Sequence, residues 1–86
     1  MQIYPKVKSV APLEDRCLLV IFDNGIRKLY NCKPLLKTEI FAFLENEWLF
    51  KSVQVDIGGY GISWGEEIDL SESELWKNGQ GLSKDK

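Results

Sequence analysis

The spacing of apolar positions changes twice along the chain, and the changes mark out its elements. Arg16 to Phe22 holds the densest run, Cys-Leu-Leu-Val-Ile-Phe. A short, continuous apolar run fits a central strand covered on both faces. Asp23-Asn24-Gly25 follows at once. Asn-Gly is the strongest short hairpin signal, because both residues tolerate positive φ. The chain then returns over Ile26 to Cys32 as a strand of mixed polarity. Upstream, Lys6 to Leu13 reads as a first strand carrying Val7 and Val10, and Glu14-Asp15 supplies a polar turn. Pro12 ends that strand or sets it at a sheet edge, since proline has no N–H for a ladder. The three strands make an antiparallel meander.

A different regime begins at Pro34-Leu35-Leu36. Thr38 suits an N-cap, and Ile40, Phe41, Phe43 and Leu44 recur at helix-like spacing. Asn46 interrupts them and can cap a second short helix through Trp48, Leu49 and Phe50. Residues 38–50 are therefore predicted helical and broken near Asn46. Ser52 to Asp56 alternates, with Val53 and Val55 on one face of a half-buried strand. Gly58-Gly59 makes a turn, and Gly61 to Trp64 returns as a short strand. Ser71 with Glu74 three residues later forms a capping box, and Leu75 and Trp76 give the apolar side of a last helix. The order is β-β-β-α-β-β-α. This is an α+β class with short helices packed on a small antiparallel sheet. It predicts one domain over residues 1–78 and a flexible Gly/Lys/Ser-rich tail over 79–86.

Composition narrows the function classes. With 86 residues the chain has room for one domain, and 44% hydrophobic with 28% charged residues fits a globular protein. A net charge of −2 and a pI of about 5.1 weigh against nucleic-acid binding, which needs clustered positive charge. That alternative, an accessory domain of a regulator, requires Lys6, Lys8, Arg16, Arg27 and Lys28 to gather on the face of the meander. The opening MQIYPKVKSV lacks the apolar stretch of a signal peptide, and no run approaches the roughly 18 apolar residues of a membrane span. The expectation is a cytoplasmic chain with no membrane partner.

The ordered set of signals resembles a family. A strand ends F-D-N-G; K-P-L-L and an F-x-x-L segment follow; then come W-L-F-K-S-V-Q-V-D, G-G, I-S-W, and I-D-L-S with L-W after it. Together, over about residues 6–76, these resemble the small prokaryotic domain of unknown function 2442. The resemblance implies a compact α+β domain, alone or ahead of a helix-turn-helix segment, with no established activity. It also implies membership of two-gene, toxin–antitoxin-like pairs for stand-alone members. Ten residues follow Trp76, too few for a helix-turn-helix, so a DNA-binding role of such an extension does not carry over.

The residue types offer little chemistry. There is no histidine, which removes the commonest general base and metal ligand and excludes Ser-His-Asp and Cys-His arrangements. Cys17 and Cys32 are too few and too far apart for a zinc site on spacing alone. A two-residue Asn24-Gly25 loop would set Cys17 opposite Cys32; a three-residue loop with a glycine bulge would set Cys17 opposite Asn31. A cytoplasmic chain keeps both thiols reduced in either register. Glu66, Glu67 and Asp69 form an acidic cluster that suits either a hard cation and acid–base work or a solvated turn before a helix start. Gly58, Gly59 and Gly61 match no phosphate-loop fingerprint.

The aromatics remain. Three Trp, three Tyr and four Phe exceed what a small core readily buries, so some rings are expected at the surface. The candidate partner surface is Tyr60, Trp64, Glu66, Glu67 and Trp76, with Tyr4 and Tyr30 as further candidates. The sequence thus reads as a non-enzymatic protein-interaction module without metal or cofactor, its partner the product of a neighbouring gene. Self-association through open sheet edges is a further expectation. The third reading is a histidine-free enzyme built on Glu66, Glu67 and Asp69.

Overall fold

A computed structural model describes residues 4–65 and 68–82. These residues form seven strands in two antiparallel sheets, with two short α-helices: β1 (Val7–Pro12), β2 (Cys17–Phe22), β3 (Arg27–Asn31), α1 (Glu47–Phe50), β4 (Gln54–Val55), β5 (Gly61–Ser63), β6 (Asp69–Ser71), α2 (Glu72–Asn78) and β7 (Gln80–Gly81). The larger sheet runs β1-β2-β3-β7 and the smaller β4-β5-β6. The α+β class and the three-stranded meander are as the sequence predicts, and Pro12 closes an edge strand.

Of the two hairpin registers, the structure takes the one with the glycine bulge. Phe22 N–H donates to Ile26 O at 2.9 Å, Gly25 N–H donates to Phe22 O at 2.9 Å, and Gly25 has φ 88°. Asp23, Asn24 and Gly25 form a three-residue loop whose last residue needs the left-handed region. Cys17 therefore pairs with Asn31, and both cysteines are free thiols.

Strand β2 departs from the expectation of cover on both faces. Leu18, Val20 and Phe22 are fully buried, whereas Cys17, Leu19 and Ile21 are half-buried. The core lies on the first face only. Phe22 meets Trp76 of α2 edge-on at 5.1 Å between ring centroids, and the core takes in Tyr30, Leu44, Phe50, Ile62, Trp64 and Leu75.

The segment predicted helical over 38–50 is instead a series of short turns. Lys33–Lys37 and Ala42–Glu45 are 3-10 helices, and only Glu47–Phe50 is α-helical. Phe41 and Phe43 both meet Trp64 edge-on, at 6.3 and 6.4 Å. Residues two apart do not share a face of an α-helix, so this shared contact excludes a regular one. Thr38 does not start a helix. It ends the first 3-10 turn, its hydroxyl donating to Leu35 O at 2.8 Å. Asn46 does cap α1: its side-chain oxygen accepts from the Trp48 and Leu49 N–H groups.

The second hairpin gains a third strand. β6 pairs with β5 (Ile62↔Leu70) and runs directly into α2, where Ser71 Oγ accepts from Glu74 N–H at 3.1 Å. The Glu74 carboxylate is turned away from the cap and accepts from the Tyr30 hydroxyl at 2.7 Å. Beyond α2, Gln80 and Gly81 pair with Leu29 and Lys28, so the expected tail begins as a strand, β7.

Gly59 is the least replaceable turn residue. It is buried at φ 77°, and a Cβ there would stand 2.7 Å from the Val7 carbonyl oxygen and 2.9 Å from Lys6 Cβ. The β4–β5 turn is thereby pressed against the start of β1. Left-handed backbone strain and a clash with fixed backbone act together. Gly59→Ala is expected to destabilise the protein by at least about 2 kcal/mol in urea unfolding. A midpoint shift within error of zero would refute the close approach.

Candidate functional site

The structure separates the residues singled out in the sequence. Tyr60 is 61% exposed, its ring lying under Lys6 Nζ at 4.5 Å from the centroid. Trp64 is withdrawn from the candidate surface. It is 5% exposed, and its indole N–H donates to Phe50 O at 3.0 Å. The ring fills the space between the 3-10 turn and the second sheet, and its polar edge is satisfied inside. Trp76 is half-buried against Phe22, with Lys28 Nζ 3.9 Å from its ring centroid. Glu66 and Glu67 lie outside the described residues. Asp69 is exposed on β6. Among the described residues, no three His, Cys, Asp or Glu side chains group as a metal site needs.

Other exposed residues lie outside the candidate surface named from the sequence. Ile57 is 98% exposed, Trp48 84% and Ile40 64%. Trp48 follows Glu47, the first residue of the four-residue α1, whose buried side is taken by Phe50. Ile57 opens the glycine turn, which offers it no neighbour to cover it. Apolar character carries no sign of direction in an element of one turn, so the sequence does not separate these residues from the core.

The five cations do not assemble into one basic face. Lys6 donates to Glu72 at 2.8 Å, and that hydrogen bond is the main reason its pKa is raised. Arg16 donates through Nε to Leu44 O at 2.8 Å and through a terminal nitrogen to Glu45 O at 2.7 Å, with its guanidinium 5.5 Å from the Phe50 ring centroid. Lys28 donates to Trp76 O. It shares the core-side face with Val20, while its neighbour Arg27 pairs with Ile21 on the opposite face.

Arg16 organises a groove of about 480 Å³ between the β1–β2 turn and α1, with Leu13, Phe50, Glu47 and Lys51 among its walls. The turn is strained: Asp15 and Arg16 have φ 66° and 58°. Consecutive left-handed non-glycine residues persist only when their surroundings hold them. Here the Asp15–Lys33 ion pair at 3.0 Å and the two carbonyls bound by Arg16 do so. These bonds also satisfy the carbonyls at the end of the 3-10 turn, a structural task for Arg16.

Two titratable groups are tuned by burial. Burial first, and then the hydrogen bond to Glu74, push the Tyr30 phenol above its ordinary value. Burial pushes the Cys32 thiol up to about 12, with nearby Cys17 adding to the shift. Both shifts favour the protonated form in the folded state. Their contribution is fully present below the unfolded values, near 9 for the thiol and 10 for the phenol, and is lost as pH rises beyond them. The urea midpoint is expected to stay level to about pH 8. Above pH 9 stability should fall, each group contributing at most about 1.4 kcal/mol per pH unit. A Tyr30→Phe, Cys32→Ala variant should flatten that slope; an unchanged slope would show the wrong groups had been named. At pH 8 a thiol reagent should modify half-exposed Cys17 in the folded protein and reach Cys32 only on unfolding.

The comparisons with known proteins name no chemistry. No helix among the described residues is long and apolar enough to cross a membrane. No curated protein and no solved structure matches the chain. The model of the family described as "Protein of unknown function (DUF2442)" matches residues 7–81, from the first residue of β1 to the last of β7. A match over nearly the whole chain, covering every strand that builds the two sheets, makes this protein a member of the DUF2442 family.

Proposed function

We propose that the chain is a cytoplasmic protein-interaction module without catalytic activity, and that its partner is the product of a neighbouring gene, as in antitoxin-like members of two-gene pairs. The observation that carries this reading is the exposure of Trp48, Ile57 and Tyr60 at 84, 98 and 61%. Large apolar side chains left in water gain most from being covered, and aromatic residues dominate the energetics of protein interfaces. The groove beside α1 lies next in sequence to Trp48 and supplies relief into which a partner side chain can fit. The lack of histidine and the use of Lys6, Arg16 and Lys28 in internal contacts support binding over catalysis or nucleic-acid recognition.

The test is titration with the purified product of the adjacent gene, followed by tryptophan emission. Covering Trp48 should move the emission to the blue. Trp48→Ala and Tyr60→Ala should each weaken binding about tenfold or more, or about 1.4 kcal/mol. Because both rings are exposed, the variants should melt as the parent does, with stability changes within about 0.5 kcal/mol. No binding at 100-micromolar concentrations (on the order of 10⁻⁴ M) would sink the reading.

A further inference from the structure

The open face of the larger sheet has the wrong composition for a face that meets only water. Register fixes which side chains stand on it. Ser9, Ile21 and Arg27 form one row across the strands, Ala11, Leu19, Leu29 and Gln80 the next, and Cys17 and Asn31 the last. An antiparallel sheet with one solvated face normally alternates apolar inward and polar outward. Here β2 is apolar on both sides. Leu18, Val20 and Phe22 enter the core, while Leu19, Ile21 and Leu29 stand half-buried outside the core cluster. The elements that cover the sheet are on the other side, where Trp76 meets Phe22 and Glu74 meets Tyr30. Continuous apolar character in β2 is the pattern of a strand covered twice, and the described residues supply one cover.

The charge on this face indicates the second. Arg27 is exposed and is the only charged side chain in the three rows; exposed Lys8 stands at the β1 bulge beside Ser9. No carboxylate occupies any row position. Asp23, the hairpin's own acid, acts on Lys6. A second copy packing this face against itself would bring apolar rows together but offer Arg27 no counter-charge from the rows. A partner with its own carboxylate would. Arginine at the rim of an apolar patch is a usual anchor for such a contact.

We propose that the Leu19–Ile21–Leu29 face docks an apolar segment of another protein that carries a carboxylate for Arg27. This surface goes beyond the exposed rings of Trp48, Ile57 and Tyr60. The segment lies across β2 and β3 and completes the layer that the described residues leave open. Arg27, at the hairpin end, sets its direction.

The experiment titrates ¹⁵N-labelled full chain with an amphipathic helical peptide of leucine and glutamate, and with its leucine–lysine counterpart. The glutamate peptide should shift the amides of Leu19, Ile21, Arg27 and Leu29. The lysine peptide should bind at least about tenfold more weakly, and Arg27→Glu should reverse the order. Leu29→Lys, on the open face and outside the core, should abolish the shifts while the melting curve is kept. Equal binding of the two peptides, shifts confined to Trp48 and Tyr60, or no shifts at millimolar peptide would overturn the proposal. So would concentration-dependent broadening of the same four amides without peptide, which would identify a second copy as the occupant. The neighbouring-gene product separates this proposal from the preceding one. If it binds the parent and the Arg27→Glu and Leu29→Lys variants alike, it does not use this face. If it fails to bind while the glutamate peptide seats on the face, the sheet surface stands and the two-gene reading falls.

Discussion

Removal of one stripe of β2 from water is the constraint on which the rest of the structure depends. Leu18, Val20 and Phe22 are fully buried, and side chains of this size contribute roughly 1.5–3 kcal/mol each when taken out of water. A small sheet cannot cover that stripe with its own residues. The chain after β3 is arranged to do so: the 3-10 turns bring Leu44, α1 brings Phe50, the second sheet brings Ile62 and Trp64, and α2 brings Leu75 with Trp76 beside it. The elements that supply this cover are short, because each has to deliver only one or two side chains to a common point. Their stability comes from that delivery and not from helix or strand propensity.

This division explains which parts of the fold were legible in the sequence. The meander, the Asn24-Gly25 turn, the Asn46 and Ser71 caps and the glycine turn are local, and local chemistry announces them. Apart from Thr38, which caps the turn just before it, the misreadings of the fold are places where a distant partner decides. Phe41 and Phe43 share Trp64, which overrides the helical spacing of the segment they lie in. Asp69-Leu70-Ser71 is a strand because β5 lies beside it, and Gln80-Gly81 because β3 does. Glu74 completes half of its capping box because Tyr30, 44 residues away, claims the carboxylate.

The candidate site shows the same limit. Tyr60 was visible as a surplus aromatic and is indeed exposed, but Trp64 has the same residue type as Trp48 and the opposite fate. What separates them is the Phe50 carbonyl, which gives the Trp64 indole N–H a partner inside the core. The continuous apolar run of β2 was legible from the start, but the cover on both faces that it predicts is found on one. The register shows that the described residues cover one of its two faces.

The polar clasps of α2 carry a further consequence, in the order of folding events. Lys6–Glu72, Lys28–Trp76 and Tyr30–Glu74 join residues 66, 48 and 44 positions apart, whereas β2 and β3 meet through a three-residue loop. Loop-closure entropy rises with that separation, so the meander can form while the α2 segment is still unattached. On a ribosome the first three strands emerge well before residue 72, and Phe22 waits for Trp76. During that interval the core side of β2 lacks the cover that Leu75 and Trp76 bring. The late clasp of α2 then completes the difference between the two faces of the strand.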